Sequence, residues 1–209
     1  LGVSEAEALA GTRGVVETLS MMAIIVTALL LSYLGFMVWY LTSARRGVYR
    51  MSITDQGTGL MNRVAYEKCL RKSDQRVIAP AACIYIDANG LHEINNHLGH
   101  EAGDHMLRSI ADGIRKYFPD DCAYRIGGDE FAVMLDINLS PDQLEHLLTQ
   151  FLRDISGILE QVTVSCSIGA YRFVFPQEIK HLLTETDRVL YQAKENGRAR
   201  FVIEDSTEK

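Results

Sequence analysis

An uncharged apolar run near the N-terminus constrains this chain more than any other feature. From Leu19 to Leu41 the sequence reads LSMMAIIVTALLLSYLGFMVWYL and carries no charge. About 20 apolar residues are enough for a helix to cross a bilayer, so the run predicts a transmembrane helix over residues 15–43. A buried core helix is the alternative. A cleaved signal peptide is disfavoured, because the run is too long and most of the positive charges follow it.

The charges beside the run predict its orientation. Arg45, Arg46 and Arg50 follow it closely, and positively charged residues mark the cytoplasmic side of a membrane helix. We therefore expect residues 1–14 to be an extracytoplasmic stub, residues 44–54 to be a linker helix, and everything from Arg45 onward to be cytoplasmic. The stub is too short to fold alone, so we also expect a sensor domain upstream of it.

Composition limits what the rest of the chain can do. The net charge is −6, which disfavours a broad nucleic-acid-binding surface. The four cysteines have no CxxC spacing, so we expect thiols in a reducing compartment and not a disulfide framework or a zinc knuckle. Residues 55–209 have the usual size of a single domain.

Helical and strand patterns alternate along this domain. An apolar run with β-branched and aromatic members predicts a buried strand over 81–88, and the spacing of Leu107, Ile110 and Ile114 predicts a helix over 103–118. The other predicted elements are helices over 62–72 and 181–197, a helix opened by the capping box of Ser140 and Gln143, a strand over 162–173, and a last strand in ARFVIE. The alternation predicts an α+β fold, a mostly antiparallel sheet with helices over it.

One predicted hairpin carries adjacent acids at its tip. The stretch YRIGGDEFAVML (124–135) places Asp129 and Glu130 directly after a glycine pair, between two strand-like runs. Asp87 ends the buried strand that we expect beside this hairpin. Three carboxylates at one sheet edge repel one another unless a cation neutralises them. Oxygen ligands suit Mg²⁺, which also binds substrate phosphates, so the pattern predicts a metal site.

Neighbouring residues suit a phosphate ligand. Gly127 and Gly128 lack side chains, so the backbone there can come close to a ligand. Lys194 and Arg198 lie four residues apart, which predicts that they share one face at the end of a helix and hold a triphosphate together. A nucleotide–metal enzyme is one interpretation of these features. An ordinary glycine turn beside a solvated helix face is the other.

Four sequence segments together resemble one known family. RIGGDEF (125–131) is the signature of GGDEF-type diguanylate cyclases, and three further segments are similar to that family: TDQGTGLMNR (54–63), DANGLHEINNHLGHEAGD (87–104) and TDRVLYQAKENGRARF (186–201). Members join two GTP into cyclic di-GMP and release two pyrophosphates. The resemblance implies a palm-like sheet akin to that of adenylyl cyclases and polymerases. It also implies an enzyme anchored in the bacterial inner membrane as the output of a signalling protein.

The resemblance also implies roles for the matching residues. Asp129 and Glu130 would be catalytic, with Asp129 accepting the proton of the attacking 3′-hydroxyl. The implied ligands of Mg²⁺ or Mn²⁺, two ions per active site, are Asp87, Ala88, Asp129 and Glu130. The implied GTP-binding residues are Gly90, Leu91, His92, Asn95, Asp104, Gly127, Gly128, Lys194 and Arg198. Because each domain would hold one GTP, we expect a homodimer through the cyclase domain and the membrane-proximal helices.

Three positions depart from the family pattern. Gly57 stands where the family has Leu, His92 where it has Lys, and Asn96 where it has Asp. The last two leave open a degenerate domain that binds GTP or a partner without turnover. A related cyclase that makes mixed cyclic dinucleotides is disfavoured by Asp104. Zinc at the histidines of 92–105 is disfavoured too, because supporting cysteine or HExxH spacing is missing from the sequence.

The product-inhibition motif of the family is incomplete in this chain. Many members carry Arg-x-x-Asp, with the Asp six positions before the first signature glycine. Asp121 occupies that position, but Phe118 stands where the Arg belongs, and Phe has no donors for guanine or phosphate. Arg115, about one helical turn earlier, is the alternative donor, although the chain bends at Pro119. We therefore expect weak or absent product inhibition.

Overall fold

The computed structural model describes residues 5–73, 81–137, 139–159, 162–173 and 178–206. The chain divides into two compact units, Leu1–Arg50 and Met51–Lys209. A single long helix, α1 (Glu5–Ile53), runs through the first unit, and the second unit contains the sheet.

The apolar run lies in the middle of α1. Residues Val15–Leu41 are long and apolar enough to cross a membrane by length and composition, with a mean hydropathy of 2.3. None of this stretch is buried within the protein, and Trp39, for example, is 62% exposed. A core helix would bury such side chains. The chain therefore has one candidate transmembrane helix within the residues that the structure describes.

The second unit alternates helices and strands. Its helices are α2 (Arg63–Ser73), α3 (Leu91–Leu98), α4 (His100–Tyr117), α5 (Pro141–Ile155) and α6 (Ile179–Glu195). Its strands are β1 (Met61–Asn62), β2 (Ala81–Ala88), β3 (Ala123–Arg125), β4 (Glu130–Leu135), β5 (Gly157–Leu159), β6 (Val162–Val164), β7 (Cys166–Phe173) and β8 (Phe201–Asp205). A 3₁₀ turn, Asp120–Cys122, precedes β3. The predicted capping box is present at the start of α5, where Ser140 and Gln143 exchange hydrogen bonds.

Six of the strands form one mixed sheet in the order β1-β3-β4-β2-β7-β8. The strand β2 pairs antiparallel with both β4 and β7, and β3 pairs antiparallel with β4. The outer pairs, β1 with β3 and β7 with β8, are parallel. The remaining two strands, β5 and β6, pair separately. The predicted α+β fold, a mostly antiparallel sheet with helices beside it, is confirmed.

The core lies on both faces of the sheet, because the side chains of β2 alternate between them. Ile84 and Ile86 are fully buried in a cluster with α4 and α5. Cys83 belongs to a second cluster with α6. The residues predicted to form the core face of α4 are all buried, namely Leu107, Ile110 and Ile114.

A close approach of α6 to β7 helps to place the site. A Cβ atom added at Gly169 of β7 would lie 2.2 Å from the backbone nitrogen of Leu190, so a side chain there would push the helix away from the sheet. The helix carries Lys194 in its last turn. The glycine therefore lets Lys194 come near the carboxyl end of β2.

The structure differs from the sequence-based prediction at residues 162–173. This stretch is broken at Ser165 into β6, which pairs with β5, and β7, which joins the central sheet. The apolar–polar alternation continues through Ser165, so the pattern does not reveal the change of partner. The patterns also miss α3, a helix of eight residues of which none is fully buried.

Candidate active site at the tip of the central hairpin

The carboxyl end of β2 and the tip of the β3–β4 hairpin lie side by side. Asp87 is directly opposite Glu130 in the sheet register. The backbone nitrogen of Ala88 donates a hydrogen bond of 2.9 Å to the carbonyl of Asp129. Asp129 is half-buried and Glu130 is exposed. The hairpin thus brings the three predicted acids to one edge of the sheet, with the Ala88 backbone between them.

Asp87 is paired with a cation from α6. The Lys194 ammonium donates to Oδ2 of Asp87 at 2.6 Å. Burial raises the pKa of the Asp87 carboxyl above its ordinary value, and the nearby charge of Asp129 adds to the rise. The hydrogen bond and charge of Lys194 oppose it, as does the charge of Arg198. The two carboxylates therefore influence each other, and two cations lie near enough to moderate their repulsion.

The donor set fits a divalent cation that shares its ligands with a substrate. Among the residues described by the structure, no three His, Cys, Asp and Glu side chains lie close enough together to hold a metal ion by themselves. Mg²⁺ rarely needs such a cage, since it is commonly bound by one or two carboxylates plus substrate phosphates. Asp87 and Asp129 with the carbonyl of Ala88 are oxygen donors of that kind. The predicted metal ligands thus suit Mg²⁺ or Mn²⁺.

The glycine pair is held from the side by an arginine that the sequence analysis missed. Arg125 donates to the Gly128 carbonyl at 2.7 Å and to Oδ1 of Asp55 at 3.1 Å. A Cβ atom at Gly127 would lie 2.6 Å from Oε2 of Glu130. Both Arg125 and Asp55 lie within segments that resemble the family, and this resemblance is the sequence feature that could have identified them. Their pairing connects the chain directly after α1 to the hairpin tip.

The predicted phosphate-binding turn follows β2. Gly90 has a φ of 76° and precedes the first residue of α3, Leu91. His92 is exposed, and its Nε2 lies 3.1 Å from Nδ2 of Asn96. Two of the positions that depart from the family pattern thus contact each other on the surface of α3.

The residues predicted to read guanine lie where α3 meets α4. Asn95 is half-buried on α3, and Asp104 is exposed in the first turns of α4. A Cβ atom added at Gly103 would lie 2.0 Å from Oδ1 of Asn95, so the glycine allows the Asn95 amide to lie against α4. The structure therefore places the two predicted guanine ligands near each other.

The expectation that Lys194 and Arg198 share a helix face is wrong. The helix α6 ends at Glu195, and the chain then turns, with positive φ at Gly197 and a φ of 57° at Arg198. The backbone nitrogen of Arg198 donates to the Ala193 carbonyl at 3.2 Å, which closes that turn. The turn nevertheless keeps the charge of Arg198 close enough to Asp87 to affect its pKa.

The residues of the incomplete inhibition motif lie at the end of α4 and in the 3₁₀ turn that precedes β3. Phe118 is only 4% exposed and belongs to the core cluster with α4 and α5, whereas Asp121 is exposed in the 3₁₀ turn. Arg115 donates to Asp112 at 2.7 Å and also to the Thr58 carbonyl. The alternative donor for the motif is therefore already engaged elsewhere.

Sequence comparison assigns the family. The profile described as "Diguanylate cyclase, GGDEF domain" matches residues 52–200. Diguanylate cyclase DgcS of Shewanella oneidensis is 34% identical over 148 residues, which cover 69% of this chain and 50% of that protein. The probable diguanylate cyclase DgcJ of Escherichia coli is 29% identical over 159 residues, covering 74% and 32%. The chain thus spans half or less of the length of these relatives.

Solved structures show the same fold. The coiled coil and GGDEF domain of DgcB from Caulobacter crescentus, in complex with c-di-GMP, superposes with a TM-score of 0.71 at 22% identity and covers 84% of this chain and 97% of that one. Diguanylate cyclase SiaD of Pseudomonas aeruginosa, in complex with its activator SiaC, gives 0.68 at 21% identity, covering 94% and 80%. GGDEF domains generally use divalent metal ions, bind GTP and often dimerise. The profile match and these similarities show that the chain belongs to the GGDEF-domain family of diguanylate cyclases.

Proposed function

We propose that this chain is a diguanylate cyclase that condenses two GTP molecules into cyclic di-GMP and releases two pyrophosphates. One observation supports this more than any other. The unbroken RIGGDEF tip lies beside Asp87, whose carboxylate is held by Lys194. Acids and cations at the same sheet edge are what a metal-bound triphosphate requires.

The proposed reaction is a phosphoryl transfer carried out twice. The 3′-oxygen of one GTP attacks the α-phosphorus of the other, and a new P–O bond forms. The bond between the α-phosphorus and the bridging oxygen breaks, and pyrophosphate leaves with that electron pair. Asp129 accepts the proton of the attacking hydroxyl. The same step then takes place with the two nucleotides in exchanged roles, and it closes the ring.

Protein side chains position the substrate for this step. Asp87, Asp129 and the Ala88 carbonyl would hold the ions, with Glu130 beside them. Mg²⁺ or Mn²⁺, two per site, would stabilise the charge that develops on the attacking and leaving oxygens. Lys194 and Arg198, with the backbone of residues 90–92, bind the β- and γ-phosphates. The bare backbone of the glycine pair at 127–128 leaves room for the nucleotide.

Base selection falls to Asn95 and Asp104. A carboxylate accepts hydrogen bonds from the ring and exocyclic N–H groups of guanine, and adenine does not offer that pair of donors. The Asn95 amide lies against α4 at Gly103, the residue before Asp104. This arrangement favours GTP over ATP and argues against a cyclase that makes mixed dinucleotides.

We further propose how the enzyme is organised. Residues 15–43 anchor it in the bacterial inner membrane, with residues 1–14 outside the cytoplasm, and residues 44–54 lead to the cytoplasmic cyclase domain, 55–209. Each domain holds one GTP, so two domains must face each other with two-fold symmetry. The helices near the membrane set their geometry, and a signal acts by rotating or sliding them.

A degenerate domain that binds GTP or a partner without turnover is the second candidate. His92 and Asn96 are the observation that favours it. Their hydrogen bond to each other lies on exposed α3, and the weakened phosphate contact at His92 would lower affinity without removing a metal ligand. The predicted metal ligands and the signature are all present, so we place the active cyclase first.

One incubation separates the candidates. Purified protein is mixed with GTP, ATP and Mg²⁺, and the nucleotides are then separated and identified. An active diguanylate cyclase produces cyclic di-GMP and pyrophosphate from GTP alone. Mixed dinucleotides would show relaxed base selection. Bound but unchanged GTP would establish the degenerate alternative.

A further inference from the structure

A polar residue directly after β2 is tied to the neighbouring strand by three hydrogen bonds. The backbone nitrogen of Asn89 donates to the Ser165 carbonyl at 3.0 Å. Its side-chain Nδ2 donates to Oγ of Ser165 at 3.2 Å, and its Oδ1 accepts from Oγ of Ser167 at 2.8 Å. Ser167 is fully buried. The amide of Asn89 is thus satisfied on both its donor and its acceptor side.

These bonds are placed between the two functional parts of the site. Ser167 lies directly opposite Asp87 in the register of β7 with β2. Asn89 itself stands between Ala88, whose carbonyl we assign to the metal, and Gly90, which opens the turn assigned to the phosphates. Any rotation of the Asn89 peptide would therefore move both neighbours.

Other contacts at the turn are weaker. Gly90 adopts a left-handed conformation with a φ of 76° and supplies no side-chain cap to α3. Leu91 and Ile94 pack against the core but are only partly buried, so burial of apolar surface contributes less here than at α4. In the described part of the chain, the side-chain hydrogen bonds that tie this turn to the sheet are those of Asn89.

We propose that Asn89 is a positioning residue, which Ser165 and Ser167 hold so that the β2–α3 turn keeps the backbone geometry that GTP binding needs. This inference rests on the proposed function. An amide suits the role, because it donates to one serine and accepts from the other. An aspartate could serve as well, because a carboxylate can accept from both serine hydroxyls.

The test uses the 209-residue chain in detergent micelles and three variants. Ser167→Ala and Asn89→Ala weaken or remove the anchor, and Asn89→Asp is the conservative variant that keeps an oxygen to accept from the serines. Thr186→Val is the matched control, since Thr186 has a fully buried hydroxyl whose partners, the Leu182 carbonyl and the Cys83 thiol, lie outside the β2–α3 turn. The readouts are kcat and KM for GTP, and hydrogen–deuterium exchange of the segment 87–94.

We expect Ser167→Ala and Asn89→Ala to raise KM for GTP about three- to tenfold, the effect of one or two lost hydrogen bonds. Their kcat should stay within about twofold of the wild type, and the segment should exchange faster. Asn89→Asp should keep KM within about twofold of the wild type and exchange at the wild-type rate. The proposal would be overturned if Ser167→Ala and Asn89→Ala kept the wild-type KM and exchange rate. It would also be overturned if Thr186→Val changed KM and exchange as much as they do.

The exchange readout also separates this inference from the proposed function. It needs neither turnover nor bound GTP. If the wild-type chain makes no cyclic di-GMP but the turn loosens in Ser167→Ala and not in Thr186→Val, the proposed function fails and the anchor stands. If the chain is active and the turn exchanges alike in all variants, the anchor fails and the proposed function stands.

Discussion

Lys194 and Asp87 are 107 residues apart in the sequence, yet their charged groups lie 2.6 Å from each other. The contact depends on the close approach of α6 to β7 at Gly169. It places a cation on the carboxylate that we assign to a metal ion. A metal ion held there with its nucleotide would compete with Lys194 for the Asp87 carboxylate, and the ammonium would then be available to a phosphate.

The first prediction concerns this competition. Lys194→Met should lower the free energy of unfolding by about 1 kcal/mol without metal, because the Asp87 and Lys194 side chains are 13% and 32% exposed and solvent weakens their pair. Added Mg²⁺ should raise the melting temperature more in the variant than in the wild type, because Lys194 no longer competes for Asp87. KM for GTP should rise as well.

Lys116→Met is the matched control for this measurement. Lys116 pairs with Asp154 on an exposed surface away from the hairpin tip. Its substitution should leave the response to Mg²⁺ unchanged. An identical shift in melting temperature with Mg²⁺ in wild type and Lys194→Met would show that the metal does not use Asp87.

The second prediction is the pH dependence of the Asp55–Arg125 pair. Burial raises the pKa of Asp55, but the hydrogen bonds from Thr58 and Arg125, with the charge of Arg125, outweigh it and lower the pKa below its ordinary value. The charged form is therefore favoured in the folded state. The charged Asp55 carboxylate therefore adds to the free energy of unfolding at pH values above its unfolded pKa of about 4. That stabilisation is lost as the pH falls through the lower pKa of the folded state.

Urea unfolding of the wild type and of Asp55→Asn checks this sign. The variant should be less stable by about 1 kcal/mol at pH 7, and the difference should shrink as the pH falls below about 4. A difference that stays constant or grows on acidification would mean that the carboxylate is not stabilised in the fold.

The sequence predicts much of this architecture, because strong local signals mark its parts. The buried strand at 81–88 has the predicted bounds, since an uninterrupted apolar run leads up to Asp87 and the strand ends one residue later, at Ala88. The capping box at Ser140 likewise lies where its spacing indicates. Both signals depend on residues close together in the chain, and local chemistry is what a sequence displays directly.

The features that sequence analysis misses depend on contacts between distant residues. The pair of Arg125 and Asp55 spans 70 residues, and the bonds of Asn89 reach Ser165 and Ser167, 76 and 78 residues away. Arg198 lies beyond the end of α6, because the chain turns after Glu195. A periodic pattern carries no information about such partners.

The third prediction concerns feedback by the product. Phe118 is buried in the core, and Arg115 is held by Asp112 and the Thr58 carbonyl. Asp121 therefore lacks a guanidinium with which to bind a guanine and a phosphate. Added cyclic di-GMP should change the initial rate by less than about twofold, a change equivalent to under about 0.5 kcal/mol. Strong non-competitive inhibition that is lost in Asp121→Ala would contradict this.

The fourth prediction concerns assembly. In the proposed reaction each domain holds one GTP and the product contains two, so activity would require two domains to meet. The specific activity of the Met51–Lys209 unit should rise with protein concentration until dimers form, so the total rate should grow faster than linearly. Initial rates over a dilution series, with the molecular mass measured in parallel, provide the test. Strictly linear rates from a monomer throughout would contradict the dimer.

The assay of Asp129→Ala with GTP and Mg²⁺ tests the central claim most directly. Asp136→Ala is its control, since Asp136 is an exposed acid at the other end of β4. We predict that the wild type and Asp136→Ala make cyclic di-GMP. Asp129→Ala should lose at least about 99% of the turnover, equivalent to roughly 2.7 kcal/mol of transition-state stabilisation, and keep a wild-type melting temperature. Comparable turnover in a folded Asp129→Ala variant would contradict the assignment of the hairpin tip as the catalytic centre.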